Sequence, residues 1–175
     1  MLGSVGLEVA ARSQVPVVVV RGEAAGPATG VVTAAVRGTA DADWMGYAAR
    51  EAQLRKATLR MLSVWNPLTH AGSMATMLDG LDEMAQAHGR HMETLAEALR
   101  RAFPALTLTT EVAGGTSAAG ILVEASRHTD LLVVGARRRP MGLGPSLGHV
   151  AHALVHHAHC PVAIVPRRDR NSEEE

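Results

Sequence analysis

The chain has 175 residues and carries 17 basic and 17 acidic side chains; that length suits one well-filled α/β domain with a remainder, and the balanced charge excludes the basic footprint of a nucleic-acid binder. Aromatic residues make up 2% of the chain, so the core must be aliphatic and methionine-rich, and a base-stacking platform for nucleic acid is excluded as well. No apolar run approaches the ~20 residues of a membrane span, the first residues lack a secretory pattern, and the single cysteine, Cys160, allows no internal disulfide and fits the cytoplasm.

Residues Leu2 to Arg21 predict a helix with an apolar face through Val5, Val9 and Ala10, followed by a strand over Val15 to Val20. Gly22 to Gly30 is a linker rich in Gly, Ala and Pro. The main domain spans 31–166 and opens with a strand, Val31 to Val36. Arg37-Gly38-Thr39 then turns into a helix that runs to about Lys56, with Asp41 placed to cap its first N–H groups. Thr58 to Trp65 is the second strand, stopped by Asn66-Pro67. From Ser73 to Phe103 a long helical pattern carries Met74, Met77, Met84, Met92, Leu95 and Leu99. A methionine stripe can be an adaptable binding surface, but here it reads as core. Pro104 ends this helix, Leu106 to Val112 is the third strand, and Ser117 to Arg127 is the next helix.

The stretch that carries functional meaning begins at Asp130. Leu131 to Val134 is an unbroken apolar run, as expected for a strand covered on both faces, and Gly135 ends it. A loop rich in Gly, Pro and Arg, Ala136 to Ser146, leads into a helix beginning near Leu147-Gly148. Its apolar positions Leu147, Val150, Ala151, Leu154, Val155 and Ala158 fall on one face. Cys160 to Val165 is the closing strand, and 167–175 are expected to form a disordered tail. Strands alternating with helices demand parallel pairing through crossovers, hence a doubly wound sheet, in which ligands sit beyond the carboxyl ends of the strands. Strand, glycine-bearing loop and helix N-terminus together can hold a phosphate.

The spacing sharpens that reading. Gly135, two residues, Arg138, nine residues, then Gly148-His149, with Cys160-Pro161-Val162 after the helix, resembles the universal stress protein family. Its ATP-binding members carry Gly-x2-Gly-x9-Gly-Ser/Thr at this place. The resemblance implies an adenine nucleotide alpha hydrolase-like fold, with a five-stranded parallel sheet of order 3-2-1-4-5 flanked by helices and the ligand between the first and fourth strands. It implies as nucleotide-binding residues Ala35, Val36 and Arg37, Val134 and Gly135, Arg137 and Arg138, and Gly148, His149 and Val150. ATP is the implied cofactor. The chain also departs from the pattern, with Arg138 in place of the second glycine, His149 in place of the hydroxyl, and Arg37 in place of an acid beside the nucleoside. Guanidinium offers donors only, and glycine's conformational freedom is lost at 138, although arginine is also the best side-chain partner for phosphate. The expectation is a non-catalytic stress-response regulator with a degenerate ATP-binding loop; the alternative is an ATP- or AMP-binding member that uses an altered loop.

A second copy of the unit is partly present. At an offset of 145 residues Leu2-Gly3-Ser4-Val5 matches Leu147-Gly148-His149-Val150, and Pro16-Val17 matches Pro161-Val162. The expectation is the closing helix and strand of a preceding copy. In tandem and dimeric members the final strands pair edge to edge. Val15 to Val20 is therefore expected against Val162 to Val165 of this chain or of another, and the last strand is expected to form a homodimer.

Other chemistry is weakly signalled. His149, His152, His156 and His159 share a stripe of the last helix, with His157 beside it; with no Cys or carboxylate ligand supplied locally, they read as a solvated face, and no metal is expected. Cys160 at a strand start reads as buried and inert, and no pattern places a catalytic nucleophile.

Overall fold

The apolar runs pair side by side in the computed structural model of the chain, which describes residues 4–22, 27–66, 77–136 and 147–167. In chain order the elements are α1 (Ser4–Arg12), β1 (Val17–Val19), β2 (Val31–Ala35), α2 (Ala42–Leu54), β3 (Thr58–Trp65), α3 (Met77–Ala102), β4 (Leu108–Gly114), α4 (Ala118–Ala125), β5 (Leu131–Ala136), α5 (His149–His157) and β6 (Val162–Pro166). They form one sheet of order β1-β6-β5-β2-β3-β4. Counted within the main domain this is the expected 3-2-1-4-5, with every pair parallel. β1 adds a sixth strand, antiparallel to β6, with Val17 opposite Ile164 and Val19 opposite Val162. Among the described residues no helix is long and apolar enough to cross a membrane.

Alternate side chains of each strand leave opposite faces of the sheet, and helices cover both. Val32 and Ala34 of β2 pack with Trp44, Met45 and Ala48 of α2 and with Met92, Leu95 and Leu99 of α3. On the other face Leu62, Leu132, Val134 and Ile164 pack with Leu122 of α4 and with Ala151, Leu154 and Val155 of α5; Ala10 of α1 and Val19 of β1 join this layer. Met92, the methionine of the long helical pattern whose side chain is described, is buried in the core, and Met74 lies outside the described residues.

Polar side chains inside these layers are spent on backbone groups that would otherwise be orphaned. Arg60 of β3 donates from Nη2 to the carbonyl of Ala125 at the end of α4, at 3.3 Å, and from Nε to Thr33 Oγ1, at 3.2 Å. Thr129 Oγ1 donates to the same Ala125 carbonyl at 3.0 Å. Asp130 fixes the entry to β2, where its carboxylate accepts from Thr29 N–H at 2.6 Å, Thr29 Oγ1 at 2.9 Å and Gly30 N–H at 2.8 Å. Desolvation pushes this carboxyl up, but the donors from Thr29, Gly30 and Val31 outweigh it and hold its pKa below the ordinary 3.8.

Some local expectations give way. The inward face of α1 runs through Leu7, Ala10 and Ala11, whereas Val9 is 53% exposed. Roughly 100° of rotation per residue carries Val9 out of the buried arc. β1 is shorter than expected, because only Val17–Val19 find partners on β6. Asp41 makes no capping bond to α2, having been recruited by groups described below. Arg167, expected in a disordered tail, donates its N–H to Ala136 at 3.1 Å and pairs with Asp41 at 2.8 Å. The expected pairing of Val15 to Val20 with Val162 to Val165 is met, and within the same chain: β1 lies along β6, which is therefore not an open edge.

Candidate functional site

β2 and β5 are adjacent and parallel, so their carboxyl ends open together beneath the start of α5. A cavity of about 660 Å³ lies there, within the range of small-molecule sites. Ala35, Val36 and Arg37 line it from β2, Val134 and Gly135 from β5, and Gly148, His149 and Val150 from the start of α5. Each predicted site residue that falls among the described residues is thus brought to one cavity. Arg137 and Arg138 lie outside the described residues.

The glycines at the two ends of the motif serve different needs. Gly148, immediately before α5, has φ +76° and ψ 157°, a region open essentially to glycine. It turns the chain so that the first-turn N–H groups and the positive end of the α5 dipole face the cavity. Gly135 instead makes room. A Cβ there would lie within 2.8 Å of three atoms of the Trp44 indole, which is buried against the strand end. His149 stands exposed at the cavity mouth, on the face of α5 opposite Leu154 and Val155.

Asp41 also lines the cavity, although the sequence suggested only a helix cap for it. It is buried, and its acceptors are used. Oδ2 accepts the backbone N–H of Arg37 at 2.6 Å, and Oδ1 accepts from Trp44 Nε1 at 3.1 Å and pairs with Arg167 Nη2 at 2.8 Å. Arg167 Nη2 also donates to the Ala40 carbonyl at 2.9 Å. The ion pair therefore ties the end of β6 to the turn after β2 and fixes the backbone of Arg37. The apolar wall comes from Leu62 and Val64 of β3, Ala118 and Leu122 of α4, and Leu147 and Ala151 beside α5. Leu62 and Val64 could have been found from strand alternation, since they share the face of β3 that Leu62 turns toward α4 and α5.

A model of the universal stress protein family matches residues 32–166. The chain belongs to this family. Universal stress protein Rv2623 of Mycobacterium tuberculosis is 33% identical over 128 residues, which cover 70% of this chain and 42% of the relative. The chain thus spans less than half the length of the curated relatives it matches. Among solved structures, a functionally unknown protein from Pseudomonas aeruginosa, PA1789, superposes with a TM-score of 0.65 at 18% identity, over 95% of this chain and 57% of its own. Two universal stress protein structures, one in complex with cAMP and one from Archaeoglobus fulgidus in complex with dAMP, superpose with TM-scores of 0.51 and 0.54 at 19% and 15% identity. They cover 79% and 77% of this chain, and 97% and 95% of their own.

 

Among the described residues of this universal stress protein, Cys160, His88, His152 and His156 are not part of the cavity lining. Cys160 is buried, and desolvation pushes its thiol up to about 11. Ser63 Oγ lies 2.6 Å from His88 Nε2, but Ser63 follows Leu62 on β3 and so leaves the sheet on the opposite face, under α3. His152 and His156 stack on α5 with ring centroids 4.6 Å apart, while Arg21 donates to the carbonyl of His156 and ties the end of that helix to the chain after β1.

Proposed function

We propose that this chain is a non-catalytic, cytoplasmic universal stress protein domain whose regulatory state is set by a nucleotide held in the cavity between β2, β5 and the start of α5. The observation that carries the reading is the cavity itself. It has the volume of a nucleotide site, a helix N-terminus at one wall and apolar residues at the others. The cAMP and dAMP complexes of structural neighbours support the same ligand class. A non-catalytic role is supported by the placement of the candidate nucleophiles, since Cys160 and Ser63 are both buried away from the cavity lining.

The helix and strand before the main domain support the tandem reading. The Pseudomonas aeruginosa structure matches 95% of this chain but 57% of its own, whereas the two nucleotide complexes match 79% and 77% of this chain. The homodimer we propose uses the outer edge of β1, because β6 is already paired. A second reading, a nucleotide-free interaction module, is favoured by Arg138 and His149, which replace the glycine and hydroxyl of the family motif.

Denaturing the purified protein and chromatographing the supernatant, with calorimetric titration of the emptied protein, separates the two. Released nucleotide, or heat on adding one, supports the first reading. Neither signal with any purine nucleotide sinks it.

A further inference from the structure

The outer face of α5 brings two imidazoles together away from the cavity. His152 and His156 stand at i, i+4, the spacing that sets side chains over one another on a helix face. Their ring centroids are 4.6 Å apart, with the planes tilted by 46°. Two imidazoles bound through nitrogen to one tetrahedral ion have centroids about 5 Å apart, so the pair needs little movement to share one. His152 is exposed and His156 half-buried, and no hydrogen bond or ion pair to a described residue occupies either ring. His88 differs, because its Nε2 is engaged by Ser63 Oγ at 2.6 Å. The helix under the pair is also held in place: Leu154 and Val155 are buried beneath it, and Arg21 donates to the carbonyl of His156. Rigid support of this kind lowers the cost of ordering two ligands.

We infer that His152 and His156 form a surface clamp for a late first-row transition ion, Cu2+, Ni2+ or Zn2+. Neutral imidazole suits these ions, whereas Mg2+ and Ca2+ take oxygen ligands. Among the described residues no third His, Cys, Asp or Glu gathers with the pair, so the remaining positions on the ion fall to water and the ion exchanges readily. The charge of Arg21, at the same end of the helix, works in the same direction. His157 does not contribute: its ring centroid is 6.2 Å from that of His156, and about 100° of helix rotation carries it to another side. Spacing alone reads as a solvated polar face; the approach of two unengaged rings is what adds a site. The clamp is independent of what the cavity holds.

The test is calorimetric titration of the full chain, purified without a histidine tag, with the chlorides of Cu2+, Zn2+ and Mg2+ just above neutral pH, where imidazole is unprotonated. Cu2+ should bind, Zn2+ should bind more weakly, and Mg2+ should give no heat of binding. His152→Ala and His156→Ala should each weaken Cu2+ binding by about tenfold or more, and His159→Ala, beyond the end of the helix, should leave it unchanged. Circular dichroism checks that the variants fold, and the exposure of His152 makes its substitution harmless to the core. Absence of Cu2+ binding, binding that survives His152→Ala, or an equal loss in His159→Ala overturns the inference.

Discussion

At the scale of single residues, two motif glycines of like appearance are held for unlike reasons, and substitution separates them. Gly148 has open space around a would-be Cβ, so Gly148→Ala should cost only the backbone strain of its positive φ, about 1–3 kcal/mol. Gly135→Ala should cost a comparable ~1–3 kcal/mol by overpacking, and Trp44→Leu should relieve it. Urea unfolding of the two variants, each with and without Trp44→Leu, checks this: rescue at 135 and none at 148 is expected. Asp41 and Arg167 make a second residue-scale case. Removing one partner of a buried ion pair strands the other, so Asp41→Ala should cost roughly 3–5 kcal/mol, while Asp41→Leu with Arg167→Met should cost markedly less. Spacing revealed the glycines, but it could not reveal this pair, whose members come from opposite ends of the main domain.

At the scale of elements, the clip between Asp130 and the entry to β2 makes a pH-dependent contribution. The folded carboxyl titrates below 3.8, so its stabilisation is fully present above that value and is lost as pH falls through the folded pKa. Stability measured by urea between pH 7 and pH 3 should fall less steeply in Asp130→Asn than in the unaltered chain, and Asp130→Asn should already be weaker at pH 7. An equal acid slope in both would show that the clip contributes nothing. Most elements were legible because apolar periodicity is a local property: β3 and the buried face of α5 lie where the pattern puts them, and β5 begins there at Leu131 but runs on through Gly135 to Ala136, which pair with Val165 and Pro166. Val9 was misplaced because a nine-residue helix offers several short apolar arcs, and only the surface it packs on chooses among them.

At the scale of the whole molecule, β1 covers the edge of β6 and leaves its own outer edge, with Val15, Val18 and Val20 exposed beside it. Exposed apolar strand edges invite pairing. Sedimentation should therefore show a dimer that Val18→Lys dissociates without loss of the monomer fold; monomer at high concentration in the unaltered chain would remove the proposal. By itself, the sequence determined that the main sheet is parallel and that a ligand would sit beyond the carboxyl ends of its strands, because alternating strands and helices admit few topologies; the order 3-2-1-4-5 and the place between the first and fourth strands came with the family resemblance. Tertiary structure alone decided that the carboxylate of Asp41 is already occupied and that the edge of β6 is already paired. The physical reason is the same for both: hydrogen-bonding capacity at a site is consumed by groups that reach it from distant parts of the chain, and no local pattern records which of them arrive.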